Sequence, residues 1–68
     1  MKLLKEKYKT VAGAIKRAAF ENGVAKSEFE HGYKARLYWY RAEAHDGAFR
    51  VARYASKEAV HAEFYKAR

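Results

Sequence analysis

Apolar positions recur with a helical period in one stretch of the chain and with a strand period in another. At about 100° per residue, Val11, Ala14, Ile15, Ala18 and Asn22 fall on one stripe, with Lys16 and Arg17 outside it. Thr10 supplies a capping oxygen for the first turn, and Gly23 suits the left-handed residue that ends a helix. The spacing therefore predicts a helix over residues 10–22. Its stripe is mostly alanine, so it can approach whatever it covers closely. Phe20 points away from that stripe and needs a second element, a partner or water. Further on, Ser27-Glu28-Phe29-Glu30 has capping-box spacing with Gly32 behind it, which predicts a separate short helical turn.

The alternating stretch is residues 33–55. Asp46-Gly47 lies between two runs rich in Tyr, Trp, Phe, Val and Arg, a strong hairpin signal. A two-residue turn sets Ala44 opposite Phe49 and Ala42 opposite Val51. One face then carries Tyr38, Tyr40, Ala42 and Ala44 against Phe49, Val51 and Arg53. The other carries Leu37, Trp39, Arg41 and Glu43 against Arg50, Ala52 and Tyr54, with Glu43 facing Arg50 and Trp39 facing Tyr54. A three-residue loop would pair Glu43 with Phe49 and Arg41 with Val51, which is less favourable.

The two ends are less distinct. Ser56 predicts the cap of a terminal helix with Val60, Phe64 and Ala67 as its stripe. In residues 3–9, Leu4 and Tyr8 continue the helical spacing of Val11, Ile15 and Ala18, whereas Lys5, Lys7 and Lys9 alternate like an edge strand. A hairpin alone is marginal in water, and Thr10 is a credible cap, so the strand is preferred. The expected fold is α+β: one domain over residues 1–68, ordered β-α-β-β-α, with an antiparallel hairpin packed on an alanine-faced helix. Phe49, Val51, Ala42 and Ala44 are expected beneath that helix, and Phe49 is expected to be buried against Ile15 and Ala18.

Composition adds two points. The 68 residues contain no cysteine, which excludes disulfides and thiolate metal sites, and the eleven aromatics must supply much of the core. So thin a core, with few strands to protect the sheet edges, suggests self-association. Without an apolar leader or a membrane-length stretch, a cytoplasmic protein away from membranes is expected. Net charge is +7, of which residues 1–20 contribute +5 and residues 33–55 contribute +3, against −2 over residues 21–32. Such a surface attracts polyanions by counterion release, although small domains also carry this charge simply for solubility.

Candidate chemistry is sparse. Glu-x-x-His occurs at Glu28/His31 and Glu58/His61, but the four-helix scaffold of a carboxylate di-metal site is missing, and both glutamates suit the first turn of a helix. His45 and Asp46 are neighbours on a tight turn, where adjacent side chains diverge into water. Ser27 and Ser56 read as helix caps rather than nucleophiles, and the glycines form no phosphate loop. The expectation is no enzyme, no metal, no cofactor and no small-molecule ligand.

Two functional classes remain. In the first, a small basic nucleic-acid-binding or regulatory module without marked sequence preference uses Lys5, Lys7, Lys9, Arg36, Trp39, Arg41, Arg50, Arg53 and Tyr54, combining phosphate contacts with base stacking. In the second, a protein-interaction subunit closes a homodimer or docks on another protein through Phe20, Trp39 and Tyr54. A structural reading competes with both: the terminal helix covers Trp39 and Tyr54 and leaves Arg41, Glu43 and Arg50 as a solvated, salt-bridged end.

Overall fold

A computed structural model describes residues 1–55. Over these residues the protein is a small α+β domain with one helix and a three-stranded antiparallel sheet. Its elements are β1 (Lys2–Tyr8), α1 (Val11–Glu30), β2 (Trp39–His45) and β3 (Ala48–Tyr54). The sheet order is β1-β3-β2, so β1 and β2 run parallel with β3 between them, and α1 makes the crossover. The terminal helix expected from Ser56 onward lies outside the described residues.

The hairpin has the register that the two-residue turn dictates. Ala44 faces Phe49, Ala42 faces Val51, Glu43 faces Arg50 and Trp39 faces Tyr54. Asp46 and Gly47 both have positive φ, 52° and 76°, as the mirror-image turn of a right-twisted hairpin requires. Replacing Gly47 with valine puts a β-branched side chain in that region. It is expected to cost about 1–3 kcal/mol in a urea melt.

Residues 2–8 form the strand rather than an extension of the helix, and Thr10 caps α1 with its hydroxyl accepting from the Gly13 N–H at 3.3 Å. The pairing of β1 with β3 is irregular. Leu3 faces Ala52 and Lys7 faces Arg50, so Leu4, Lys5 and Glu6 together stand opposite Val51. Such a bulge removes backbone groups from the ladder. Arg50 compensates by donating from Nε and Nη2 to the Leu4 carbonyl at 2.9 and 2.6 Å.

The helix does not stop at Gly23. It continues to Glu30 and absorbs the short turn expected at Ser27–Glu30. The residue that ends it is Gly32, with φ of 77°. The N–H of Gly32 donates to the Phe29 carbonyl at 3.1 Å and that of Tyr33 to the Glu28 carbonyl at 2.8 Å, the paired bonds of a Schellman turn. Gly23 fails as a stop because a glycine inside a helix costs only about 1 kcal/mol, and the inward stripe resumes beyond it at Ala25 and Glu28.

Among the described residues the core is built from small side chains. Ala14, Ala18, Ala42, Val51 and Ala52 are buried, and alanine facing alanine brings α1 close to the sheet. Two expectations need correction. Ala44 is exposed, and Phe49 is only half-buried. Both lie at the turn end of the hairpin, next to the more deeply buried Ala42 and Val51, so Phe49 is not the anchor of the core.

Candidate nucleic-acid interface

Strand alternation divides the basic and aromatic residues of the hairpin between two faces. Arg41, Glu43, Arg50, Trp39 and Tyr54 lie on the face away from α1. Tyr38, Tyr40 and Arg53 lie on the helix side. The residues named from the sequence therefore do not form one continuous surface.

On the first face the side chains bind one another. Arg41 and Glu43 are two apart on β2 and therefore neighbours, and they are 6% and 7% exposed. The Arg41 guanidinium donates to the Glu43 carboxylate through Nε and pairs with it through Nη2. Nη2 also donates to the Tyr54 hydroxyl at 2.8 Å, and the guanidinium lies 4.6 Å from the centre of the Tyr54 ring. The Tyr54 hydroxyl in turn donates to Glu43, and His45 Nε2 lies 2.7 Å from the second carboxylate oxygen. This is a buried network, not the solvated salt-bridged end that the sequence suggested. Arg50 also has an internal partner, but it is the Leu4 carbonyl rather than Glu43.

The electrostatics follow from that geometry. Burial by itself pushes the Glu43 carboxyl up. The hydrogen bonds from Tyr54, His45 and Arg41 and the Arg41 charge outweigh it, and the group is held below the usual glutamate range. Burial, and then the bond to Glu43, push the Tyr54 phenol up.

The helix side is different. Asn22 holds α1 against β2 through two bonds to the Tyr40 backbone. Its Nδ2 donates to the carbonyl at 2.9 Å, and its Oδ1 accepts from the N–H at 2.7 Å. The last two turns of α1 then lie beside the start of β2, and the Gly32 turn sends residues 33–38 back along them. Between these segments is a cleft of about 120 Å³ lined by Ala25, Glu28, Lys34, Arg36, Tyr38, Tyr40 and Arg53. The Arg53 guanidinium lies over the Tyr38 ring, 4.1 Å from its centre, a cation–π contact. Nearby, Tyr33 is 78% exposed, and its ring stacks on His31 with centroids 6.2 Å apart.

Of the residues named from sequence, Arg36 and Arg53 meet in this cleft. Lys34, Tyr33, Tyr38 and Tyr40 were not singled out. The alternation that puts Tyr38 and Tyr40 on the Arg53 side was a usable signal for two of them. Lys7 and Lys9 are exposed elsewhere, on and just after β1. Lys5 lines a separate cleft of about 380 Å³ with Leu4, Glu6, Tyr8, Arg17 and Val51. Phe20 is exposed on the outer side of α1.

Among the described residues, no three His, Asp or Glu side chains converge as metal ligands, and no helix is long and apolar enough to cross a membrane. Comparison with known families, curated proteins and solved structures finds no match to this chain.

Proposed function

We propose that this is a small, cytoplasmic nucleic-acid-binding module that engages single-stranded nucleic acid without marked sequence preference. The observation that carries the reading is the cleft at the end of α1. There Lys34, Arg36 and Arg53 share the lining with Tyr38 and Tyr40, and the exposed Tyr33 immediately precedes Lys34 in the chain. Cations beside tyrosine rings suit a strand that offers phosphates and unstacked bases together. Arg53, placed by its contact with the Tyr38 ring, can donate to a phosphate with less ordering than a free side chain needs. Lys34 and Arg36 are exposed and add charge at the rim, while Glu28 tempers it. Arg41 and Arg50 serve the fold in this scheme and make no phosphate contact.

Three phosphate contacts give a log-log salt dependence of about −2 for a single strand. Fluorescence anisotropy with a labelled oligonucleotide between 50 and 150 mM salt measures it. Replacing Arg36 and Arg53 with glutamine should flatten the slope by about 1.4. Tyr33→Ala should weaken binding roughly tenfold, as loss of one stacked base does. The control is Lys5→Gln with Lys7→Gln, which removes the same charge elsewhere. Equal losses in the two double variants would reduce the effect to net charge and overturn the reading.

A further inference from the structure

We infer that the protein forms a two-fold symmetric dimer in which the outer face of α1 packs antiparallel against the same face of a second copy, crossing at Gly23. The inference is independent of the nucleic-acid reading. It starts from an apolar groove of about 460 Å³ along the outside of α1, lined by Ala19, Phe20, Gly23, Val24, Ser27 and Glu28. Phe20 is 62% exposed at its edge, with Val24 one turn further on. The only ring contact within the chain for Phe20 among the described residues is the Arg17 guanidinium, 5.7 Å from its centre.

Gly23 is the second observation. It lies within a regular helix without positive φ, and a Cβ there would meet nothing within 4 Å. Among the described residues no contact explains a glycine that weakens the helix. The close approach of another backbone would, and Ala19 and Ser27 one turn to either side keep the same surface low.

Charge identifies the occupant. At about 100° per residue, Lys16, Ala19, Phe20, Gly23, Ser27 and Glu30 share roughly 100° of the helix circumference. A two-fold axis at Gly23 sets each residue against the one equally far on the other side. Ala19 then meets the partner's Ser27, and the stem of the partner's Lys26 covers Phe20. Lys16 meets the partner's Glu30, and Glu30 meets the partner's Lys16. Both ion pairs stand seven residues, about 10 Å, from the crossing, and both are rim contacts exposed to solvent. A parallel arrangement would instead place Lys16 against lysine and Glu30 against glutamate. The face is thus complementary to itself in one orientation only. A helix pair about 30 Å long buries on the order of 1,000 Å² in total, the low end of specific interfaces, so association in the high micromolar range is expected.

Sedimentation equilibrium of the full chain from 20 μM to 1 mM tests this, with circular dichroism to follow folding. The wild type should approach dimer mass at the upper end. A Cβ at Gly23 meets nothing within 4 Å among the described residues, and leucine is the better helix former, so Gly23→Leu should hold or raise the thermal midpoint while weakening dimerisation by about 30-fold or more. Lys16→Glu and Glu30→Lys should each weaken dimerisation about tenfold, and the two together should restore it to within about threefold. A monomer at 1 mM overturns the proposal. So does a dimer indifferent to Gly23→Leu, or a charge swap that fails to restore association.

Discussion

Replacing Glu43 with alanine is expected to destabilise the protein by about 3–5 kcal/mol, the usual cost of removing one partner from a buried ion pair. The change takes a carboxylate from beside Arg41, a residue only 6% exposed, and with it the acceptor of the Tyr54 hydroxyl. A domain of 68 residues has roughly 3–10 kcal/mol of total stability, so the variant should be largely unfolded at 37 °C. The double variant Arg41→Met/Glu43→Leu should recover much of the loss, because apolar residues of similar volume avoid the desolvation cost of both charges. Urea melts distinguish the outcomes. If Glu43→Ala stays within about 0.5 kcal/mol of wild type, as an ordinary surface change would, the network adds nothing to stability.

The same network sets a pH dependence. The Glu43 carboxyl lies below its ordinary range when folded and returns to about 4.3 when unfolded. A depressed carboxylate contributes stability that is fully present above the unfolded pKa and is lost as pH falls through the folded one. Stability should therefore decline below about pH 4.3. Glu43→Gln, starting from a lower plateau, should show a flatter acid limb in melts between pH 2.5 and 6. Equal acid limbs would assign the decline to other carboxyls.

How much of this was legible in the sequence depends on the reach of each interaction. The hairpin register follows from two turn residues and the alternation beside them, so every pair from His45/Ala48 to Trp39/Tyr54 could be read locally. Thr10 is equally local. The helix end was misread because Gly23 and the Ser27–Glu30 capping spacing are local signals that the packing of Ala25 and Glu28 against the strands overrides. Glu43 was expected to pair with Arg50 across the hairpin. Arg50 instead serves a bulge carbonyl 46 residues away, which no local pattern shows, and Glu43 turns to Arg41 on its own strand. The cleft required both the longer helix and the Gly32 turn. From the sequence, Arg36 and Arg53 were named with Trp39 and Tyr54 rather than with Tyr38 and Tyr40, the tyrosines that line the cleft with them.

Asn22 makes a further long-range contact that holds the fold, and Asn22→Ala is expected to cost about 2–3 kcal/mol. The two-residue turn makes His45 and Ala48 a hydrogen-bonded pair, and the ladder alternates from there. Tyr40, opposite Arg53, therefore directs its N–H and carbonyl away from β3 at the sheet edge. The Asn22 carboxamide binds both, as a neighbouring strand would. Alanine leaves a partly buried donor and acceptor unmatched, at about 1–3 kcal/mol each before water repays part of it. Asn22→Asp separates this role from packing. It keeps the acceptor for the Tyr40 N–H but sets a carboxylate against the carbonyl, so it should be at least as damaging as alanine at pH 7. Protonating that carboxylate near pH 4 should recover part of the difference, whereas the alanine variant should gain nothing there. The Tyr40 amide should exchange with solvent faster in both variants, and the bared edge should raise their tendency to aggregate. An aspartate variant as stable as wild type at pH 7, with Tyr40 exchange unchanged, would show that shape rather than hydrogen bonding fixes α1 on β2.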